Sequence, residues 1–273
     1  MLKKKIIVVG KRSLVANFLL KKLQKKIKIY FVSYKIFKSL SSKKIKQYDY
    51  ILNFSLNKDY FIQKINFNKD HDYYISEKIK NISITQILIS SRKVYKPKIN
   101  ISEKSKLKPI DIYGHNKKQT EIRCKRIVNS LIILRPSNII VDFIGTKNRL
   151  HKNFLNFFLD YYKKGAFFIC KKEFKDFITI DQFALAIFEI IKKDINKGIF
   201  NLSLGQKVYI HEILKWLLFK ANKKIKFTYL NKTVNESFTL NNSKLLKTIP
   251  VKFAKKDLKA YCNMLGNKIN KIS

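Results

Sequence analysis

Tyr113 and Lys117 stand four residues apart, so on a helix they share a face, where an ammonium lowers a phenol's pKa and lets it exchange protons near neutral pH. The same spacing recurs at Tyr34/Lys38, Tyr60/Lys64 and Tyr74/Lys78 in a chain with 14 tyrosines. Spacing alone therefore selects none of these pairs. Context does, because only Tyr113 follows an apolar run, Gln86 to Ile89, that opens into Ser90-Ser91-Arg92-Lys93-Val94-Tyr95. A strand there would deliver a serine hydroxyl to the carboxyl edge of a parallel sheet, the edge where such folds bind ligands. The candidate proton-transfer set is thus Ser91, Tyr113 and Lys117, with Ser90 expected to be a buried serine at the strand end.

A second group of residues suits a phosphate. The run Lys5-Ile-Ile-Val-Val ends in Gly10-Lys11-Arg12-Ser13, and Ser13 to Lys25 then carries apolar residues at Leu14, Val15, Phe18, Leu19, Leu20 and Leu23. This is strand, tight turn and helix, the arrangement that seats a pyrophosphate on free N–H groups at a helix N-terminus. Only the first glycine of the dinucleotide fingerprint is present, with Ser13 and Ala16 at the later spacings. Gly10, Lys11, Arg12 and Ser13 are the expected phosphate contacts, and Ser55, just after the Tyr50 to Phe54 run, is a further cofactor candidate. No acidic residue occurs from Met1 to Tyr48, and the second strand ends at Val32-Ser33-Tyr34-Lys35. An acid there would grip the ribose hydroxyls of NAD, whereas Ser33 and Lys35 suit the 2′-phosphate of NADP, so NADP is the expected cofactor, with NAD the alternative.

The elements that must position these groups alternate. Strands are predicted at Ile27 to Val32, Tyr50 to Phe54, Gln86 to Ile89, Leu131 to Leu134 and Ile199 to Leu202. Helices are predicted near Asp70 to Lys80, Ile112 to Val128, Asp181 to Lys192, Ile210 to Ala221 and Ala254 to Leu265. Such alternation predicts an α/β fold, a Rossmann-like doubly wound parallel sheet covered on both faces. Lys96 to Pro109 reads as a loop, and Val141 to Lys175 and the stretch after Phe227 break the pattern. We therefore expect a nucleotide-binding domain from 1–140 plus 176–205, and a small C-terminal substrate-binding lobe from 141–175 plus 206–273.

Of the 273 residues 46% are hydrophobic, enough for a substantial core, while no apolar run reaches the ~20 residues of a membrane helix. A cytoplasmic protein without membrane insertion is expected. The three cysteines are dispersed and, like the four histidines, lack metal-ligand spacing, so no metal site is expected. A formal charge of +41 would attract polyanions, yet only six of the 59 basic residues are arginines and the lysines are scattered along the chain. Nucleic-acid readers lean on arginine, and the charge is read as a solvated lysine surface without a specific nucleic-acid partner.

Five segments in order carry a resemblance: Ile-Ser-Ser-Arg-Lys-Val-Tyr at 89–95, Tyr-Gly-His-Asn-Lys at 113–117 followed by Glu121, Leu-Arg-Pro-Ser-Asn at 134–138, Asp-Phe-Ile-Thr-Ile-Asp at 176–181, and Gly-Ile-Phe-Asn-Leu-Ser at 198–203. Together they resemble the extended short-chain dehydrogenase/reductases, the NAD-dependent epimerase/dehydratase group acting on nucleotide sugars. The resemblance spans about residues 4 to 220. It implies that Ser91 would bond the reacting oxygen, Tyr113 would exchange its proton, and Lys117 would hold the nicotinamide ribose and tune Tyr113. Asn138 would touch the substrate, and Arg149, Lys152 and Lys175 would meet its diphosphate. Arg92-Lys93 replaces the acidic pair of the 4,6-dehydratases, which disfavours that reaction and leaves epimerisation or keto-reduction, as in surface polysaccharide biosynthesis. A homodimer is compatible with this group. Two other readings are a catalytically idle nucleotide-binding protein on the same fold and a basic nucleic-acid-binding module.

Overall fold

The computed structural model describes residues 2–142, 154–219, 221, 224–230 and 236–270. In strand β1 (Leu2–Val9) successive side chains point to opposite faces, and Ile6 through Val9 are all buried. Both faces must therefore be covered. Ser13 caps helix α1 (Leu14–Leu23) by accepting from the Ala16 amide, and Ala16, Leu19 and Leu23 lie against Ile6 and Val8. After β2 (Ile27–Val32) come two short helices absent from the sequence expectation, α2 (Tyr34–Ser39) and α3 (Ser42–Ile45), each started by a serine cap. Their Phe37 and Ile45 fill the opposite face with Ile7 and Val9.

The chain continues through β3 (Tyr50–Asn53), α4 (His71–Ile79), β4 (Thr85–Ile89), α5 (Ile112–Ile127) and β5 (Leu131–Pro136). Then follow β6 (Asn138–Ile140), α6 (Phe154–Lys164), β7 (Ala166–Cys170), β8 (Phe174–Lys175), β9 (Phe177–Thr179) and α7 (Ile180–Lys192). The last elements are β10 (Gly198–Leu202), β11 (Val208–Tyr209), α8 (Ile210–Leu217), β12 (Lys226–Leu230), α9 (Ser243–Thr248) and α10 (Lys255–Asn270). Six strands form one sheet in the order β10-β5-β4-β3-β1-β2, every pairing parallel. The doubly wound Rossmann-like sheet is as expected. Its order reverses where β3 returns to the far side of β1, so the switch point at which such sheets bind ligands lies at the carboxyl ends of β1 and β3.

Outside the six-stranded sheet the short strands pair across long stretches of sequence. β7 pairs with β12 in parallel, β8 with β11 antiparallel and β6 with β9 in parallel. Helix α8 is shorter than its expected span and α10 longer. One apolar cluster runs from the sheet face (Ile6, Leu52, Ile132) through α7 (Phe183, Ile187) to Phe167, Leu214 and Leu265, so the elements outside the sheet share its core. Among the described residues no helix is long and apolar enough to cross a membrane.

Candidate functional site

Strand β4 ends at Ile89, and Ser90 and Ser91 lead into a 3-10 turn, Arg92–Val94, which Ser91 caps by accepting from the Lys93 amide at 3.2 Å. Asp111 caps α5 through the Gly114 amide at 2.7 Å, and its carboxylate also meets Lys93 Nζ at 2.5 Å. The turn and the first turn of α5 are thereby locked together. This places Tyr113 beside Ser91, whose hydroxyl is near enough to the phenol to lower its pKa. Phe61 stacks on the Tyr113 ring at 4.9 Å with the planes only 5° apart, and Tyr60 meets it edge-on at 5.8 Å.

Lys117, one turn along α5, is buried. Its ammonium donates to the Ile89 carbonyl at 2.8 Å and lies 3.6 Å from Asp72 Oδ2. Asp72 belongs to α4 and is itself buried, its other oxygen held by Asn53 Nδ2 at 2.9 Å. Burial pushes the Asp72 carboxyl up to about 6, against the pull of Lys117 and Asn53. Lys117 is held above its ordinary range: burial opposes its charge, but Asp72, Tyr113 and Asp70 outweigh it. Contrary to the simple expectation for a tyrosine-lysine pair, the Tyr113 phenol lies above the usual tyrosine range. Burial raises it, Lys117 and Ser91 lower it, and Asp72 and Asp111 raise it further.

A buried chain of polar groups supports the set from behind. Ser90 donates to Glu121 Oε1 at 2.5 Å, which also accepts from Arg135 Nε at 2.9 Å, while Arg135 reaches the Tyr95 hydroxyl at 2.6 Å and Tyr95 donates to Asn201 at 3.0 Å. Ser90 is therefore a strand-end anchor, and the carboxyl ends of β4, β5 and β10 are tied to the middle of α5.

At the first turn, Gly10 has φ of 122°, a conformation that favours glycine, and a Cβ there would fall 3.0 Å from the Phe54 carbonyl carbon and the Ser55 nitrogen. Asn17 Nδ2 holds the Lys11 and Ser13 carbonyls at 2.8 Å each. Lys11 and Arg12 are exposed at the start of α1, where backbone dipoles favour an anion. The oxygen of Ser13 is engaged by the Ala16 amide, that of Ser33 by the Ile36 amide, and Ser55 shares a 2.9 Å hydrogen bond with His71 Nδ1. Lys35 is exposed on α2 rather than on an extended strand end, and between it and Ser33 the Tyr34 ring stacks on His71 at 3.6 Å. These residues lie at one sheet edge with the proton-transfer set, and the tight glycine, the cations and the absence of acid after β2 fit a phosphorylated dinucleotide.

Asn138 starts β6, its amide donating to the Asp176 carbonyl at 3.3 Å. Lys175 is no free cation: Glu173 at 3.1 Å and Glu236 at 3.5 Å already offset its charge. Arg149 and Lys152 lie outside the described residues. Sequence reasoning missed Asp72, Asn53 and Phe61. A signal for the first was present, since Asp72, Ile75, Ser76 and Ile79 are the buried face of α4 at helical spacing, and a carboxylate within such a face asks for a partner.

No protein-family model matches the chain. No curated protein sequence matches it either. Solved structures do. A UDP-N-acetylglucosamine 4-epimerase from Methanobrevibacter ruminantium, in complex with UDP-N-acetylmuramic acid, superposes with a TM-score of 0.81 at 16% identity, covering 100% of both chains. A dTDP-4-dehydrorhamnose reductase from Clostridium acetobutylicum gives 0.76 at 15% identity, covering 96% of this chain and 99% of its own. The corresponding reductase from Bacillus anthracis, in complex with NADP, gives 0.76 at 14% identity over 97% and 99%. The chain has the Rossmann-like fold that these nucleotide-sugar epimerases and reductases share, as the alternation of strands and helices and the resemblance of its five segments led us to expect.

Proposed function

We propose that the protein is an NAD(P)-dependent epimerase or keto-reductase of a nucleotide sugar, with NADP preferred, acting in surface polysaccharide biosynthesis. The observation that carries this reading is the convergence of Ser91, on the turn that follows β4, with Tyr113 and Lys117 of α5 at the carboxyl edge of β4. The structural neighbours act on, or are bound to, nucleotide sugars, which supports the substrate class. In this reading Gly10, Lys11, Arg12 and Ser13 hold the pyrophosphate, and Ser33 and Lys35 face the 2′-phosphate. The dinucleotide, when bound, supplies hydride chemistry. Ser91 orients the sugar oxygen, and Tyr113 Oη gives it a proton or takes one from it. Lys117 has three donors, and with one on Ile89 and its charge toward Asp72 it keeps a donor for the ribose.

Fluorescence titration with NADPH and NADH tests the cofactor assignment, with NADPH expected to bind more tightly; preference for NADH would overturn it. Tyr113→Phe should bind NADPH as the wild type does while turnover of nucleotide-sugar substrate falls by at least ~10², the scale of lost general acid-base catalysis. Unchanged turnover in that variant would sink the mechanism.

A further inference from the structure

Beside the reacting set sits a carboxylate that the mechanism above does not use. Asp72 is 1% exposed and rigidly held. Its backbone amide donates to Asp70 Oδ1 at 3.0 Å, and Asn53 Nδ2 donates to its Oδ1 at 2.9 Å. Asn53 is fixed in turn at the end of β3, where its Oδ1 accepts from the Ser55 amide at 2.9 Å. The second oxygen of Asp72 faces the Lys117 ammonium at 3.6 Å. A buried carboxylate is costly unless paired, and this one is aimed at the single ammonium next to the phenol.

The electrostatic consequence follows from distance. An isolated ammonium beside a phenol stabilises the phenolate, whereas an ammonium with a carboxylate at its back acts as a dipole whose field at the phenol is much weaker. The groups facing this pair are Asp70, which caps α4, Tyr60 from a turn earlier in the chain, and Tyr113 and Cys124 from α5; Tyr34 feels Asp72 from α2. Asp111, the remaining acid near Tyr113, is paired with Lys93. None of these supplies a cation to replace what Asp72 takes from Lys117.

We propose that Asp72 is a positioning residue which holds the Lys117 ammonium in a buried ion pair and thereby keeps Tyr113 protonated, poised to donate to the oxygen of a keto sugar. This rests on the reading of Ser91, Tyr113 and Lys117 as the reacting set, and it favours keto-reduction within the proposed function. In that step the proton leaves Tyr113 Oη for the carbonyl oxygen, the hydride equivalent comes from the reduced nicotinamide co-reactant, C=O becomes CH–OH, and solvent reprotonates the phenolate.

The test is NMR titration of isotope-labelled tyrosine in the protein without cofactor or substrate, with Tyr113→Phe used to assign the signal. Asp72→Asn should make Tyr113 at least about tenfold more acidic, one pKa unit or more, while Asp72→Glu, which keeps the charge, should titrate near the wild type. Asp72→Ser replaces the Asn variant if that one does not fold. A Tyr113 titration unmoved, or moved upward, by loss of the carboxylate overturns the proposal. In turnover, the loss of keto-reduction at high pH should begin at lower pH in Asp72→Asn, because the acid must be protonated to act. A merely structural aspartate would lower turnover without moving that limb. Failure of the functional reading shows separately, as full turnover in Tyr113→Phe, and leaves the titration result standing.

Discussion

A phenol can act as an acid or base only when the charges around it are fixed, and around Tyr113 they are held by a buried network of polar side chains. Glu121 is the centre of that support. It is fully buried, it pairs with the equally buried Arg135, and it also takes the Ser90 hydroxyl, so the serine-bearing turn, α5 and β5 converge on one carboxylate. Glu121→Gln would leave a guanidinium without its counter-charge in the interior, at a cost of ~3 kcal/mol or more. Denaturant unfolding should register that loss in full, and a variant as stable as the wild type would show that the pair is dispensable. At this scale the sequence brought together Ser91, Tyr113 and Lys117, residues that the structure also places at one sheet edge. It disclosed the electrostatics poorly, because Asp72 and Lys117 come from separate helices and the pairing of Lys175 with Glu173 and Glu236 depends on how the lobe folds back.

Elements position these groups through one close approach. Gly114 lies in the first turn of α5, and a Cβ added there would stand 2.2 Å from the Lys93 carbonyl oxygen and 2.9 Å from its carbon. No side chain fits, so the glycine sets how near the Tyr113 helix comes to the Ser91 turn. Gly114→Ala must push the two apart, and a displacement on the order of 1 Å in a reacting pair can lower turnover by ~10². The expected result is a large loss of turnover with helical circular dichroism retained; normal turnover would show that the backbone yields elsewhere. The long elements were legible because each carries a repeating apolar pattern, as in Ile6 to Val9 or along α7. The two- and three-residue strands outside the sheet were not, since β8, β9 and β11 are too short to show a period and are defined by partners far away in sequence. Helices α2 and α3 were missed for a related reason. A single buried residue in each, Phe37 and Ile45, leaves almost no pattern to detect.

For the whole molecule the dominant quantity is the net charge of +41, and the structure shows how some of it is absorbed. Lys22 pairs with Asp181 across α1 and α7, Lys255 with Glu212, and Lys4 with Asp194, each at a partly exposed surface. Other lysines lie over aromatic rings, as Lys26 does over Phe188 and Lys44 over Tyr30. These contacts are spread over many elements. A nucleic acid meeting such a surface would gain mainly from counterion release, which falls steeply as salt rises and carries no sequence information. A dinucleotide bound at Gly10 to Ser13, as proposed, would be different in kind, because its phosphates would meet helix amides and two cations at one place, over a short range that bulk salt screens less. Raising salt to physiological strength should therefore abolish RNA binding of any sequence while NADPH binding persists. Filter binding of two unrelated RNAs alongside fluorescence titration of NADPH over a salt series would measure both. A sequence-selective RNA complex surviving at that salt with a dissociation constant near ~10⁻⁸ M, as specific readers show, would mean that the lysine surface is itself a recognition site and would displace the nucleotide-sugar reading.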